Sequence, residues 1–326
     1  MSLPLNTLHT WLSESCHLPL YDLIPLAGDA SFRRYFRLRH SNGSFVLMDA
    51  SSEKSSCIPF VAIAKEIRAR GFCAPDIIAS DLTQGLLLLS DMGDRQYLSE
   101  LTADNAGQLY SAALRALGGM QSCRTVAGWT LPFFTAEFMR KELDLFCEWF
   151  LEKHLQLTFP VKMQQSLATC FDFLAASAAQ QPQVFMHRDY HSANLMVLPN
   201  NDVGILDFQD AFIGPVTYDL VSLLRDCYIA WPESLVTHLA TQYWERLALP
   251  QVSSETFLRW FDLMGLQRHL KALLTFSRKY RRDGDAKYLV HVPRTVNYIT
   301  NISQRYSECQ PLAQLFQMQV AEKCME

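Results

Sequence analysis

One stretch of this 326-residue chain constrains it more than any other: His187-Arg188-Asp189-Tyr190-His191-Ser192-Ala193-Asn194, followed by Ile205-Leu206-Asp207-Phe208. Between the two runs stand Leu195-Met196-Val197-Leu198, then Pro199-Asn200-Asn201-Asp202, then Val203-Gly204-Ile205-Leu206. Two short apolar, β-prone runs around a turn-forming cluster predict a hairpin that brings Asp207 back beside Asn194. Asp189 precedes Asn194 by five residues, so one short loop presents both side chains around the same phosphate. Phosphoryl transfer from ATP needs such a set. A carboxylate, Asp189, orients and finally deprotonates the attacking hydroxyl. Oxygen donors, Asn194 and Asp207, suit a Mg²⁺ that keeps much of its water.

The loop fits the H-R-D-x-x-x-x-N pattern and the hairpin ends on the D-F of D-F-G, both in the protein-kinase signature set. A lone H-x-D would carry little weight, because histidines and carboxylates often pair as structural ties. A full-length loop, a hairpin at the right distance and a third polar residue at its end are far more specific.

The length suits two lobes or domains with ample core. The chain is 49% hydrophobic and 19% charged, with a formal net charge of −4, a balance that argues against nucleic-acid or membrane-surface partners. Nine scattered cysteines without a C-x-x-C pair give neither a disulfide framework nor a zinc cluster, and read as reduced thiols in a cytoplasmic protein. The first twenty residues lack a basic segment and are interrupted by Asn6, His9, Ser13 and Glu14, so they do not read as a signal peptide.

Residues 1–92 read as a β-rich lobe. A short helix carries Leu8, Trp11 and Leu12, and strands cover Tyr21–Leu26, Tyr35–Arg39, Phe45–Ala50, Ile77–Ser80 and Gly85–Leu89. A helix over Pro59–Arg70 shows Phe60, Ile63, Ala64 and Ile67 on one face and stops at Gly71. Asn42-Gly43 predicts a tight hairpin turn. Gly28 to Arg34 occupies the place of a phosphate-covering loop, with Gly28, Ser31 and Arg33 as candidate contacts. Ser90 and Met92 belong to a hinge whose backbone would bond adenine. Residues 93–326 read as a helical lobe, with helices over 103–120, 135–154, 161–179, 218–229, 233–247, 254–279, 285–303 and 312–322.

The pattern as a whole resembles the aminoglycoside/choline-kinase-like phosphotransferases, a branch of the protein-kinase-like fold, over nearly the whole chain. Gly28 to Arg37, Val46 to Ala50, His187 to Asn194, Leu206 to Ala211 and Gln267 to Lys271 fit its subgroup of bacterial kinases that act on the anomeric hydroxyl of N-acetylated amino sugars in cell-wall recycling. The resemblance implies an α+β bilobal fold, Asp189 as base, and Asn194 and Asp207 as magnesium ligands. Several features depart from the wider pattern. There is no G-x-G-x-x-G, and Met48 stands where the third strand would carry a lysine. Glu66 therefore lacks its usual partner, and Arg33 or Arg34 is the candidate substitute for the lysine. Asp207-Phe208-Gln209 replaces D-F-G, and the run to Gly214 is too short for a long activation loop, which favours a small acceptor.

Candidate acceptor contacts are Arg225, Asp226, Arg268 and His191, with Trp231 as a stacking surface. An anionic sugar calls for a cation, and arginine suits a carboxylate. Acceptors of the choline or aminoglycoside type are cationic and favour carboxylates; the sequence offers both Arg225 and Asp226. A nucleotide-binding pseudokinase is the reading from another class, motivated by the missing lysine and the sparse glycine loop, and opposed by the presence of Asp189, Asn194 and Asp207 together.

Overall fold

The structure is a computed structural model that describes residues 3–18, 21–26, 33–40, 43–320 and 323. Strands are β1 Asp22–Leu26, β2 Arg34–His40, β3 Gly43–Asp49, β4 Ile77–Asp81, β5 Leu86–Ser90, β6 Gln183–Met186, β7 Leu195–Val197, β8 Val203–Ile205 and β9 Phe212–Pro215. The helices used below are α1 Leu5–Thr10, α2 Cys57–Ala69, α3 Tyr97–Glu100, α4 Ala106–Gln121, α5 Ala136–Phe146, α6 Val161–Ala179, α7 Tyr218–Leu224, α8 Glu233–Leu247, α9 Ser254–Asp283, α10 Val292–Ser303 and α11 Gln310–Leu315. Two compact units result. One comprises residues 1–100, 123–131 and 194–211; the other comprises 101–122, 132–193 and 212–326.

The first unit is built on an antiparallel sheet of order β1-β2-β3-β5-β4. Its pleat sorts side chains by parity. Phe36 and Leu38 of β2, Leu47 of β3, and Leu86 and Leu88 of β5 line one face and bury against Leu8, Trp11 and Leu12. Met48, Leu87 and Leu89 alternate with them and are equally buried, as are Phe60, Ile63, Ala64 and Ile67 of α2. The unbroken Leu86-Leu87-Leu88-Leu89 run is therefore the strand covered on both faces, as its lack of alternation predicts. The pairing of β2 with β3 runs from Arg34↔Asp49 to His40↔Gly43 and so carries the expected hairpin up to residues 41 and 42, which lie outside the described residues. Gly71 takes φ +83° just past α2, the left-handed stop a glycine accepts without strain.

The β7–β8 hairpin closes as the sequence predicts, with Leu195↔Ile205, Met196↔Gly204 and Val197↔Val203 in register. It is tied to the rest of the first unit by Ile205 N–H donating to the Cys73 carbonyl (2.8 Å) and Val197 N–H to the Arg95 carbonyl (2.7 Å). Phe208 is fully buried, its ring 4.9 Å from that of Phe60.

In the second unit, α9 is the spine, with α5, α6, α10 and α11 packed around Leu263, Leu266, Leu270, Leu273 and Phe276. Ser253 caps its start by accepting from Thr256 N–H, and Gly284 at φ +73° ends it four residues beyond the expected stop at Lys279. Three expected helices change, and the one expected over 285–303 begins only with a 3-10 turn at Leu289–His291 that leads into α10 at Val292. The helix expected over 218–229 ends at Leu224, because Asp226 turns its carboxylate to backbone and hydroxyl donors instead of continuing the helix. The stretch expected as one helix to His154 is α-helical only to Phe146 and π-helical over Cys147–His154. Two short strands, β6 and β9, had no expectation. They pair antiparallel from Gln183↔Pro215 to Met186↔Phe212 and lead directly into His187.

Removing the Phe208 ring should cost about 3–5 kcal/mol of unfolding free energy, the range for buried phenylalanines truncated to alanine. Urea unfolding of Phe208→Ala measures it, and a loss below about 1 kcal/mol would contradict the anchoring role.

Candidate active site

In the first unit, Asn194 and Asp207 stand just outside the last pair of the β7–β8 ladder, which is extended by Leu206 N–H donating to the Asn194 carbonyl at 3.0 Å. Asn194 Nδ2 lies 3.4 Å from Asp207 Oδ2. Asp207 takes φ +61°, a left-handed conformation unusual for a side-chain-bearing residue outside Asn and Asp. Gln209 donates to its Oδ1 at 2.8 Å, and Arg33 Nη1 reaches the same oxygen at 3.7 Å. The Asp207 side chain is 45% exposed, so its carboxylate stays open to solvent, and with the Asn194 carboxamide it makes a donor set of the kind that suits Mg²⁺.

Sheet parity settles which arginine belongs here. Arg34 pairs across the strands with Asp49 and also donates to the Leu3 carbonyl at 2.5 Å, on the face of Phe36 and Leu38. Arg33, one residue earlier, points the opposite way and is 7% exposed beside Asp207. Tyr35 shares that side; burial pushes its hydroxyl up to about 12, against the pull of Arg33. Met48, at the position of the missing lysine, is fully buried on the same side. Glu66 is not a lone surface carboxylate: it pairs with Arg70 at 2.7 Å and accepts from the Cys123 thiol.

Gly28 and Ser31 lie outside the described residues. The Ser90 hydroxyl accepts the Asp76 N–H at 2.8 Å, so the side chain serves the β4–β5 edge. Met92 is half-buried with its methyl over Gly204, where an added Cβ would stand 2.7 Å from Met92 Cε. Arg37 clamps the hinge by pairing with Asp91 (2.6 Å) and Asp94 (2.5 Å) and donating to the Gly93 carbonyl (3.0 Å).

In the second unit, β6 delivers the loop that carries Asp189. Asp219, fully buried at the start of α7, accepts the backbone N–H of His187 (2.7 Å) and of Arg188 (3.0 Å) on its two oxygens. That bracket holds Arg188 at φ +76°. The far end of the loop is held by Asp226, which accepts from Ser192 N–H (2.9 Å) and Oγ (2.5 Å). Tyr190 donates to the Ala113 carbonyl at 2.8 Å from beneath. Arg188 pairs with Glu142 at 3.2 Å and lies 4.7 Å over the Phe212 ring.

Asp189 is one-third exposed, and Lys271 of α9 meets its Oδ1 at 3.4 Å. Burial alone would raise this carboxyl, but Lys271, His191, Arg188 and Arg268 together hold it well below the usual carboxylate range. Asp189 is thus ionised throughout the physiological range. Lys271 closes the Gln267 to Lys271 run and, with Arg268, lies on a helix expected on the acceptor side; the 82 residues that separate it from Asp189 hid the pairing.

The expected acceptor residues sit deeper. Arg225 is 2% exposed, paired with Glu233 and Asp262 at 2.7 Å each, and stacked 4.5 Å over Phe261. Arg268 is buried against the Ser222 hydroxyl and the Cys227 sulfur. Asp226 serves the loop, and the His191 ring meets Tyr228 edge-on at 5.1 Å. Trp231 donates its indole N–H to Tyr110 at 2.7 Å.

A family described as the phosphotransferase enzyme family matches residues 22–251. The N-acetylmuramate/N-acetylglucosamine kinase of Pseudomonas aeruginosa is 43% identical over 91% of this chain and 88% of its own, and that of Neisseria meningitidis 38% over 98% and 97%. Among solved structures, the GDP complex of aminoglycoside 2'-phosphotransferase-IIIa superposes with a TM-score of 0.64 at 14% identity, covering 90% of this chain and 98% of that one. Choline kinase LicA from Streptococcus pneumoniae gives 0.64 at 12%, covering 90% and 97%. These likenesses establish the protein-kinase-like fold.

Burial pushes the Asp219 carboxyl up to about 7, against the two backbone N–H bonds it accepts. A carboxyl raised in the folded state stabilises below its unfolded value near 3.9 and loses that contribution as pH rises through the folded one. Relative to Asp219→Asn, the native chain should therefore lose up to about 4 kcal/mol between pH 4 and 7. The lost acceptor bond adds only a pH-independent offset. Urea unfolding of both proteins across that window tests it; a constant difference would refute the shift.

Proposed function

We infer the function from one premise: this chain belongs to the phosphotransferase enzyme family, matched over residues 22–251. The reading it supports is transfer of the γ-phosphoryl group of ATP to the anomeric hydroxyl of N-acetylmuramate or N-acetylglucosamine. The observation that carries it is the ionised Asp189, fixed on its loop by Asp219, in a chain of such high identity to kinases named for those two sugars.

Asp189 accepts the hydrogen bond of the acceptor hydroxyl and takes its proton as the bond to phosphorus forms. A carboxylate so far below the usual range is a weak base, so its first duty is orientation, with proton transfer late. Asn194 and Asp207 would hold Mg²⁺, which would supply neutralisation of charge on the phosphates. Arg33 supplies phosphate-directed charge where Met48 replaces a lysine. Gly28 and Ser31 cover the phosphates, and the backbone of Ser90 to Met92 takes the adenine. Arg225, Asp226 and Arg268 serve the acceptor side by fixing α7, α9 and the loop rather than by direct contact. We assign the protein to the cytoplasm, with ATP and the sugar as its partners; among the described residues no helix is long and apolar enough to cross a membrane.

The deciding experiment is acceptor-stimulated ADP release from Mg-ATP with N-acetylmuramate, N-acetylglucosamine, choline and an aminoglycoside in parallel. Stimulation by the amino sugars, abolished when the anomeric hydroxyl is blocked, is expected. Stimulation by the cationic acceptors alone would move the substrate class, and nucleotide binding without release would favour the pseudokinase.

Asp189→Asn should keep nucleotide affinity and lose about 10²–10⁴-fold in kcat. Steady-state kinetics beside a nucleotide-binding titration separates the two, and a near-normal kcat would remove Asp189 from the chemistry.

A further inference from the structure

We propose that Lys271 is a positioning residue for the phosphoryl transfer: its ammonium fixes the Asp189 carboxylate toward the acceptor hydroxyl. This rests on the functional reading above. Lys271 Nζ lies 3.4 Å from Asp189 Oδ1 and is 19% exposed, whereas the carboxylate keeps a third of its surface open. The cation is therefore mostly covered, and the group it holds still faces solvent.

The lysine is itself held. One helical turn earlier on the same face of α9, Gln267 donates to Glu142 Oε2 at 3.0 Å. Glu142 Oε1 pairs with Arg188, the residue before Asp189. Asp219 holds the backbone of that same Arg188. The base is thus gripped at its backbone through Asp219 and Arg188 and at its side chain through Lys271, and both grips return to α9. A side chain with two rotatable bonds beside an acceptor needs such a restraint, because a misplacement of about 1 Å costs on the order of 10²-fold in rate.

Two other arginines of this unit are engaged elsewhere. Arg225 is spent on Glu233 and Asp262, and Arg268 on Ser222 and Cys227. The unbranched four-carbon stem of Lys271 makes methionine its nearest uncharged replacement.

The test is steady-state kinetics of Lys271→Met and Lys271→Arg with Mg-ATP and N-acetylglucosamine. The methionine variant should lose about 10–100-fold in kcat with KM for ATP within about twofold of native, and arginine should restore most of that loss. A lost kcat without rescue by arginine, or an unchanged kcat, overturns the proposal. So does a raised acceptor KM at native kcat, which would make Lys271 a binding group. Should the methionine variant fail to melt cooperatively, Lys271→Gln is read by the same kcat-against-KM split. Failure of the native chain to phosphorylate any hydroxyl acceptor overturns the functional reading itself; native turnover with an unaltered methionine variant overturns only the role of Lys271.

Discussion

The second unit depends on a carboxylate that never meets solvent. Asp219 satisfies two backbone N–H groups, of His187 and Arg188, at the one point where β6 ends and the chain must turn into the loop. Without an acceptor there, two buried donors would be orphaned, at roughly 1–3 kcal/mol each. With it, Arg188 is held in the left-handed region and Asp189 is presented from a fixed backbone. Asp226, seven residues on, repeats the device at Ser192, so a single short helix with its C-terminal extension grips both ends of the loop. That demand explains why α7 stops at Leu224: a helix continued to residue 229 would carry Asp226 away from Ser192.

The first unit sets a different problem, which cation stands beside Asp207 where the third strand carries Met48 and not a lysine. The solution is pleat parity. Adjacent residues on an extended chain face opposite ways, so of the neighbours Arg33 and Arg34 only one can stand beside Asp207. Arg34 is drawn to Asp49 by the β2–β3 register, on the face that also buries Phe36 and Leu47. Arg33 is left on the side of Tyr35 and Met48. Moving the register of β2 by one residue would exchange the two arginines and turn Phe36 and Leu38 away from Leu8, Trp11 and Leu12, so the apolar pattern of β2 selects the arginine as surely as it selects the core.

Much of this was legible from residues alone. The loop, the hairpin, α6 and α8 are where the spacing puts them, because each is governed by local rules: turn-forming clusters, alternation and helical period. The strands β6 and β9 were not, since four-residue strands whose pairing partners lie nearly thirty residues apart leave no local signal. The π-helical turn over Cys147–His154 was likewise invisible, because its apolar residues satisfy an α-helical stripe equally well.

Charged residues on a buried helix were the harder case, and the reason is physical. Arg225, Asp226, Arg268 and Lys271 look alike in sequence, four charges near the start or middle of helices in an enzyme's larger unit. What separates them is the state of their partners. Arg225 meets two carboxylates and an aromatic face, so its charge is compensated within the helix packing. Lys271 meets one carboxylate, and that carboxylate is partly open to solvent. An internal ion pair with both members covered is costly to break and fixes structure; the Lys271–Asp189 pair leaves one member partly open. Partner identity is set by contacts 8 to 82 residues distant along the chain, which no window of sequence contains. The distinction between a charge compensated inside the fold and one paired with a partly open carboxylate is therefore a property of the folded chain, and α9 carries both kinds in Arg268 and Lys271.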